Sequence, residues 1–198
     1  MRRILLIAIC VLAVGTTQCS KQPKPKPVAV PQSESLKLAE QLKELAFDFP
    51  PEALDRLYEP EVSAYANALP ALVVALKAAH FRPPYLEGAR PREVFAQMGW
   101  LADTMRAAPG FDSALARYGL TARSFRATFL KVWAAGYAIA LDSSIAAFKS
   151  RGGEAQPDGK RTLMLFQPRI DACAKIPPEN IGLVRKYRDQ LDILKQLL

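Results

Sequence analysis

The sequence predicts an all-α fold, an irregular helical bundle packed around one long central helix at about residues 121–151. Three observations predict it. Phe125, Phe129, Val132, Trp133, Gly136, Tyr137, Ala140, Leu141, Ser144, Ile145 and Phe148 recur at spacings of three and four. That places them on one broad stripe of a 3.6-residue period. The other apolar segments carry the same period between proline or glycine stops. The one stretch that reads as a strand, Thr162 to Phe166, has no second strand to pair with.

The central helix has a start and a stop. The Thr121 hydroxyl can accept from an amide of the first turn, and Gly152 and Gly153 tolerate the left-handed turn after a helix. About 30 residues at ~1.5 Å each make a rod of roughly 45 Å. Ala127, Ala134, Ala135, Gly136 and Ala138 would let neighbouring helices approach closely. The uncharged run between Lys131 and Asp142 holds ten residues. A membrane span needs ~20, so this helix does not read as one.

In chain order, Arg2 and Arg3 precede an apolar run from Ile4 to Val14, which matches an export signal. Residues 1–19 are therefore expected to be a signal peptide, cut before Cys19 or after Gly15. Cys19, followed by Ser20, resembles the lipidated cysteine of bacterial lipoproteins, although Gln18 departs from the small residue usual before it. Ala13 and Gly15 offer the ordinary small-x-small site instead. Either cut, or an uncleaved anchor, leaves the domain outside the cytoplasm, in the periplasm or facing it from a membrane. Residues 20–34 carry four prolines between Pro23 and Pro31, interleaved with Lys24 and Lys26, and read as an extended, solvated tether.

A single helical domain is expected over residues 35–198. Leu36, Leu38, Leu42, Leu45, Ala46 and Phe49 predict an amphipathic first helix capped by Ser33 or Ser35. Pro50 and Pro51 open a second over Glu52 to Tyr58, and Pro60 opens a third that runs to about His80. Pro70 should kink or divide that helix, because proline removes one ladder bond. The irregular stretch from His80 to Arg92 contains Pro83, Pro84, Gly88 and Pro91. Helix then resumes from about Pro91 to Ala108 with Val94, Phe95, Met98, Leu101, Ala102 and Met105 inward. A short helix covers Phe111 to Tyr118, with Gly119 as its cap. After the central helix, the polar run GGEAQPDGK reads as a flexible loop, and residues 161–176 read as short helical turns broken at Pro168. Pro177 or Pro178 opens a last helix with Ile181, Val184, Tyr187, Leu191, Leu194 and Leu198 on one side.

The run APGFDSALARYGLTARSFRATFLKVWAAGYA, followed by IPPENIGLVRKYRDQLDIL, resembles small exported bacterial all-helical proteins of unknown function. In those a Gly-Leu-Thr turn opens the longest helix and a Pro-x-Asn turn opens the last. The likeness covers roughly Ala108 to Leu194. It implies an all-α fold and an envelope setting, and it carries no catalytic residue across.

The chain offers little conventional chemistry. Its formal charge of +8 falls to +6 once Arg2 and Arg3 are removed, which suits anionic headgroups or acidic polymers. The basic residues are scattered and the compartment is wrong for nucleic acid. One histidine, His80, and no paired cysteines leave no metal-ligand spacing, so no metal and no cofactor are expected. Cys173 reads as a lone buried thiol if Cys19 is acylated, and as a bridging partner of Cys19 if it is not. Asp142, beside Ser143 and Ser144 at the edge of the stripe, reads as a solvated helix residue. Buried, it would need a cationic partner and would floor a polar cavity. Phe81, Arg82, Tyr85, Arg90 and Arg92 concentrate aromatic rings and guanidinium groups in one loop, a mix that grips partner surfaces or anionic ligands. These residues and Asp142 are the candidate binding set.

The expected function is a non-enzymatic interaction module, tethered in the envelope and recognising another envelope component. The alternative is a carrier or sensor of an apolar or amphipathic ligand lodged between the long helix and its neighbours, with Met98, Met105 and Met164 suited to that task. A hydrolase using His80 is the least supported, since nothing resembles Gly-x-Ser-x-Gly.

Overall fold

The structure is a computed structural model that describes residues 32–82 and 91–193. Among these residues the elements are α1 (Gln32–Leu45), α2 (Pro51–Leu54), α3 (Glu59–Ala78), α4 (Pro91–Met105), α5 (Phe111–Ala116), α6 (Ala122–Ser150), α7 (Gly159–Cys173), α8 (Pro178–Lys186) and α9 (Arg188–Leu191). A 3-10 turn, Gly153–Ala155, links α6 to α7. The fold is all-α, and the long α6 is its centre: α2, α3, α4, α5, α7 and α8 all pack on it.

The predicted cap of α6 forms as expected. Thr121 Oγ1 accepts from the Ser124 N–H at 3.1 Å, and Ser124 Oγ accepts from the Thr121 N–H at 2.8 Å. Its buried side shares Phe125, Phe129 and Leu141 with the predicted stripe and differs elsewhere. Thr128, Leu130, Lys131, Ala134, Ala135 and Ala138 are buried, whereas Val132, Trp133, Gly136 and Tyr137 are only partly so and Ala140 is exposed. Ala134, Ala135 and Ala138 sit deep where small side chains let neighbouring helices approach the axis, while Phe125, Phe129 and Leu130 fill the core nearer the start of the helix. Phe125 sits at the heart of the core, 5.3 Å ring to ring from both Tyr65 and Phe111 and stacked on Phe129 at 5.9 Å.

Two expectations near prolines and glycines change and one narrows. Of the kink or division expected at Pro70, division does not occur, since Pro70 lies inside a continuous α3; Pro168 lies inside a continuous α7 instead of breaking it. In both helices, packing of the remaining turns outweighs the lost ladder bond. The loop read as flexible is a compact turn. Gly153 is buried, and a Cβ on Gly159 would lie 2.1 Å from the Gly153 carbonyl oxygen. Only glycine permits that backbone contact.

The ends of elements also shift. α1 starts at Gln32, so Ser33 and Ser35 lie in its first turn, and Phe47 and Phe49 follow it as an extended anchor. Both rings meet Tyr137 edge-on, at 5.7 and 6.1 Å. α2 stops at Leu54 because residues 55–58 run extended into α3. The last helix breaks at Tyr187, and Leu194 and Leu198 lie outside the described residues. Met98, Leu101, Ala102 and Met105 point inward from α4 as expected. Among the described residues no helix is long and apolar enough to cross a membrane.

Candidate functional site

The predicted binding loop begins with two residues that terminate α3. The Phe81 N–H donates to Leu76 O at 2.9 Å and the His80 N–H to Lys77 O at 3.0 Å, the paired bonds of a Schellman end. His80 takes the left-handed position with φ 52°, and Phe81 packs back on the core. Phe81 is therefore a structural closure, Arg82 is exposed, and His80 is an exposed cap with no hydrogen bond to a serine or carboxylate among the described residues. Arg92 belongs to the first turn of α4. Tyr85 and Arg90 lie outside the described residues, as does Cys19.

Asp142 is exposed on α6, 4.0 Å from Arg185 of α8, and lies far from the loop in sequence and on the opposite half of the long helix. It joins a different group at the seam of α6, α7 and α8 with Tyr137, Arg169 and Cys173. Burial pushes the Cys173 thiol up to about 11, with the Asp142 charge adding to it. Among the described residues the thiol is free; it is half-buried with its ionisation disfavoured, as in a packing group. Burial raises Tyr137 as well, partly opposed by Arg169.

The groups that fasten the bundle were invisible to periodicity. Asn180 of α8 is fully buried; its Nδ2 donates to Asp55 O at 2.9 Å and its Oδ1 accepts from the Leu57 N–H at 2.7 Å. It pairs the extended 55–58 segment as a strand neighbour would. Lys131 is buried in the middle of α6, its Nζ donating to Arg56 O at 3.1 Å and lying 3.5 Å from Glu61. Glu61 in turn accepts the Tyr58 N–H at 2.9 Å and caps α3. Arg126 spans Glu52 at 2.5 Å and Asp103 at 3.2 Å, tying α2, α4 and α6 together across the face of Gly99. The one available signal was the Pro-Pro-x-Asn turn at 177–180, which located Asn180 without its role.

Two features face outward. A groove of about 530 Å³ lies between α3 and α9, lined by Asn67, Pro70, Asp189, Asp192 and Ile193 among others. Trp100 of α4 is 53% exposed although Met98, Leu101 and Ala102 beside it are buried. Among the described residues no group of three His, Cys, Asp or Glu could hold a metal ion. No protein family, curated protein or solved structure matches this chain.

Proposed function

We propose that the chain is an exported helical interaction module, held near a bacterial membrane through its N-terminus and binding an envelope partner without catalysing a reaction. Trp100 carries this reading. Its neighbours Met98, Leu101 and Ala102 are anchored in the core, and Arg126 joins Asp103 of α4 to Glu52 of α2, so the indole stands outward from a packed turn. An exposed indole held by such a turn supplies a large apolar area and one N–H donor, the recurring makeup of an interface anchor. The signal-like N-terminus, Cys19 and the proline-lysine tether support the setting.

The alternative, a carrier or sensor of an apolar or amphipathic ligand beside the long helix, draws less support. Met98 and Met105 fill the core, Met164 is exposed, and the groove lies between α3 and α9 with acidic residues on its wall.

A photo-activated cross-linker at position 100 of the full chain, expressed in its native envelope, tests the reading. One discrete adduct, with a lipid-modified mass beginning at Cys19, is expected. A chain that stays in the cytoplasm, or that gives no adduct from position 100, overturns it.

A further inference from the structure

The helices are not equally fastened. Among the described residues every helix from α2 to α9 has at least one buried residue, from Ala53 of α2 to Leu191 of α9. In α1, residues 36–45 include none: Leu38, Leu42 and Leu45 are half-buried and Leu36 is 67% exposed. None of these leucines belongs to the core or to the half-buried apolar side chains packed on it. The boundary is sharp. Just beyond Leu45, Phe47 and Phe49 are buried, and their rings meet Tyr137 edge-on.

α1 packs on α7. Arg161 donates to Gln41 at 3.3 Å and Lys175 pairs with Asp48, so the two segments run parallel. Arg161, Leu165, Pro168, Ala172 and Lys175 fall on one stripe of α7 and the turn after it, at alternating spacings of four and three. Leu38, Gln41 and Leu45 repeat that spacing along α1. Leu165 and Pro168 are themselves half-buried, and α7 reaches the core through Ala172 and Cys173. The seam between α1 and α7 is therefore a thin layer outside the core, and lifting α1 away removes no core side chain.

We infer that α1 is a detachable strap: it leaves α7 as one unit, pivoting at Ala46, while Phe47 and Phe49 stay seated on Tyr137 and the core stays folded. The polar contacts do not hold it shut. The Gln41–Arg161 bond is exposed to competing water, and the exposed Asp48–Lys175 pair lies beyond the pivot. Off α7, a helix of 14 residues is marginal in water, so release and unwinding go together. Closed, the segment spans about 21 Å; unwound, it reaches up to about 48 Å. Release thus gives whatever precedes α1 a longer reach and leaves α4, which packs on α6 and carries Trp100, in place. The inference rests on packing within the domain and holds however the N-terminus is attached.

Native-state hydrogen exchange of the full chain, read in rising sub-denaturing guanidinium, tests this. Amides of Leu38–Leu45 should exchange at least about a hundredfold faster than those of Leu130–Ala138 in α6, yet about tenfold or more slower than in a free peptide. Their rate should change little with denaturant, because opening the strap exposes little surface. Amides of Arg169–Cys173 should stay slower than those of α1. Leu38→Ala/Leu42→Ala should speed α1 exchange about tenfold and leave α6 within about twofold. Phe47→Ala, beyond the pivot, should instead speed α1 and α6 together. A common rate and denaturant slope for α1 and α6 in the native chain overturn the inference, since α1 would then open only with the core. So do α1 amides as fast as a free peptide, which would mean that no closed strap exists. An α7 that exchanges at the α1 rate also overturns it, because the opening unit would then be the pair. Equal acceleration of α1 and α6 by Leu38→Ala/Leu42→Ala would place the seam within the core and sink the idea.

Discussion

His80 and Asn180 illustrate how single residues are used in this fold. Gly119 ends α5 with the same bond pattern that His80 makes at the end of α3: Leu120 N–H to Leu115 O and Gly119 N–H to Ala116 O, both 3.1 Å. Glycine adopts the left-handed conformation freely, whereas His80 carries a Cβ that opposes it. His80→Gly should therefore raise stability by about 1 kcal/mol, read as a higher denaturant midpoint at constant slope. A fall in stability would mean that the imidazole makes a contact worth more than the strain. Asn180 works in the opposite direction. Asn180→Ala leaves the Leu57 N–H and the Asp55 carbonyl unpaired in the core and should cost about 3 kcal/mol. A loss under 1 kcal/mol in the same titration would show that water replaces the amide.

Among the elements, α6 and α7 depend on how closely backbones approach. α6 buries Ala134, Ala135 and Ala138, where bulk would hold neighbouring helices away from its axis. α7 depends on Gly159, whose missing Cβ lets its first turn sit on the Gly153–Ala155 turn. A backbone carbonyl cannot rotate aside as a side chain does. Gly159→Ala should cost about 3 kcal/mol and detach the start of α7 first. Hydrogen exchange checks this: protection should fall in α7 and in α1, which packs on it, before it falls in α3. Uniform loss across the chain would contradict the assignment.

For the whole molecule, the titrating groups of the α6–α7–α8 seam couple stability to alkaline pH. Cys173 ionises near its ordinary value of 9.0 when unfolded but only at about 11 when folded. Folding thus favours the neutral thiol, and its contribution is complete below pH 9.0 and lost as pH rises toward about 11. Tyr137 is raised too and acts in the same direction from 10.0 upward. The denaturation midpoint should be insensitive to Cys173 below pH 9 and should decline above it. Cys173→Ala should lessen that decline. An unchanged alkaline slope in the variant would place the coupling elsewhere.

By itself the sequence determined the all-α class, the central helix and its Thr121 cap, the inward face of α4 and the proline start of α8. These are local matters: a period, a hydroxyl three residues from an amide, a fixed φ. It placed the candidate residues Phe81 and Arg82 near a helix end but could not tell an aromatic that closes a cap from one that meets a partner. Only the tertiary structure decided which side of α6 is deepest, that Pro70 and Pro168 stay within helices, and that Lys131 is buried. Each of those depends on a distant segment, since Lys131 is satisfied by Arg56 and Glu61, and Asn180 by Asp55 and Leu57. Helical periodicity sees neighbours three and four residues apart. A hydrogen bond spanning more than a hundred residues leaves no such trace.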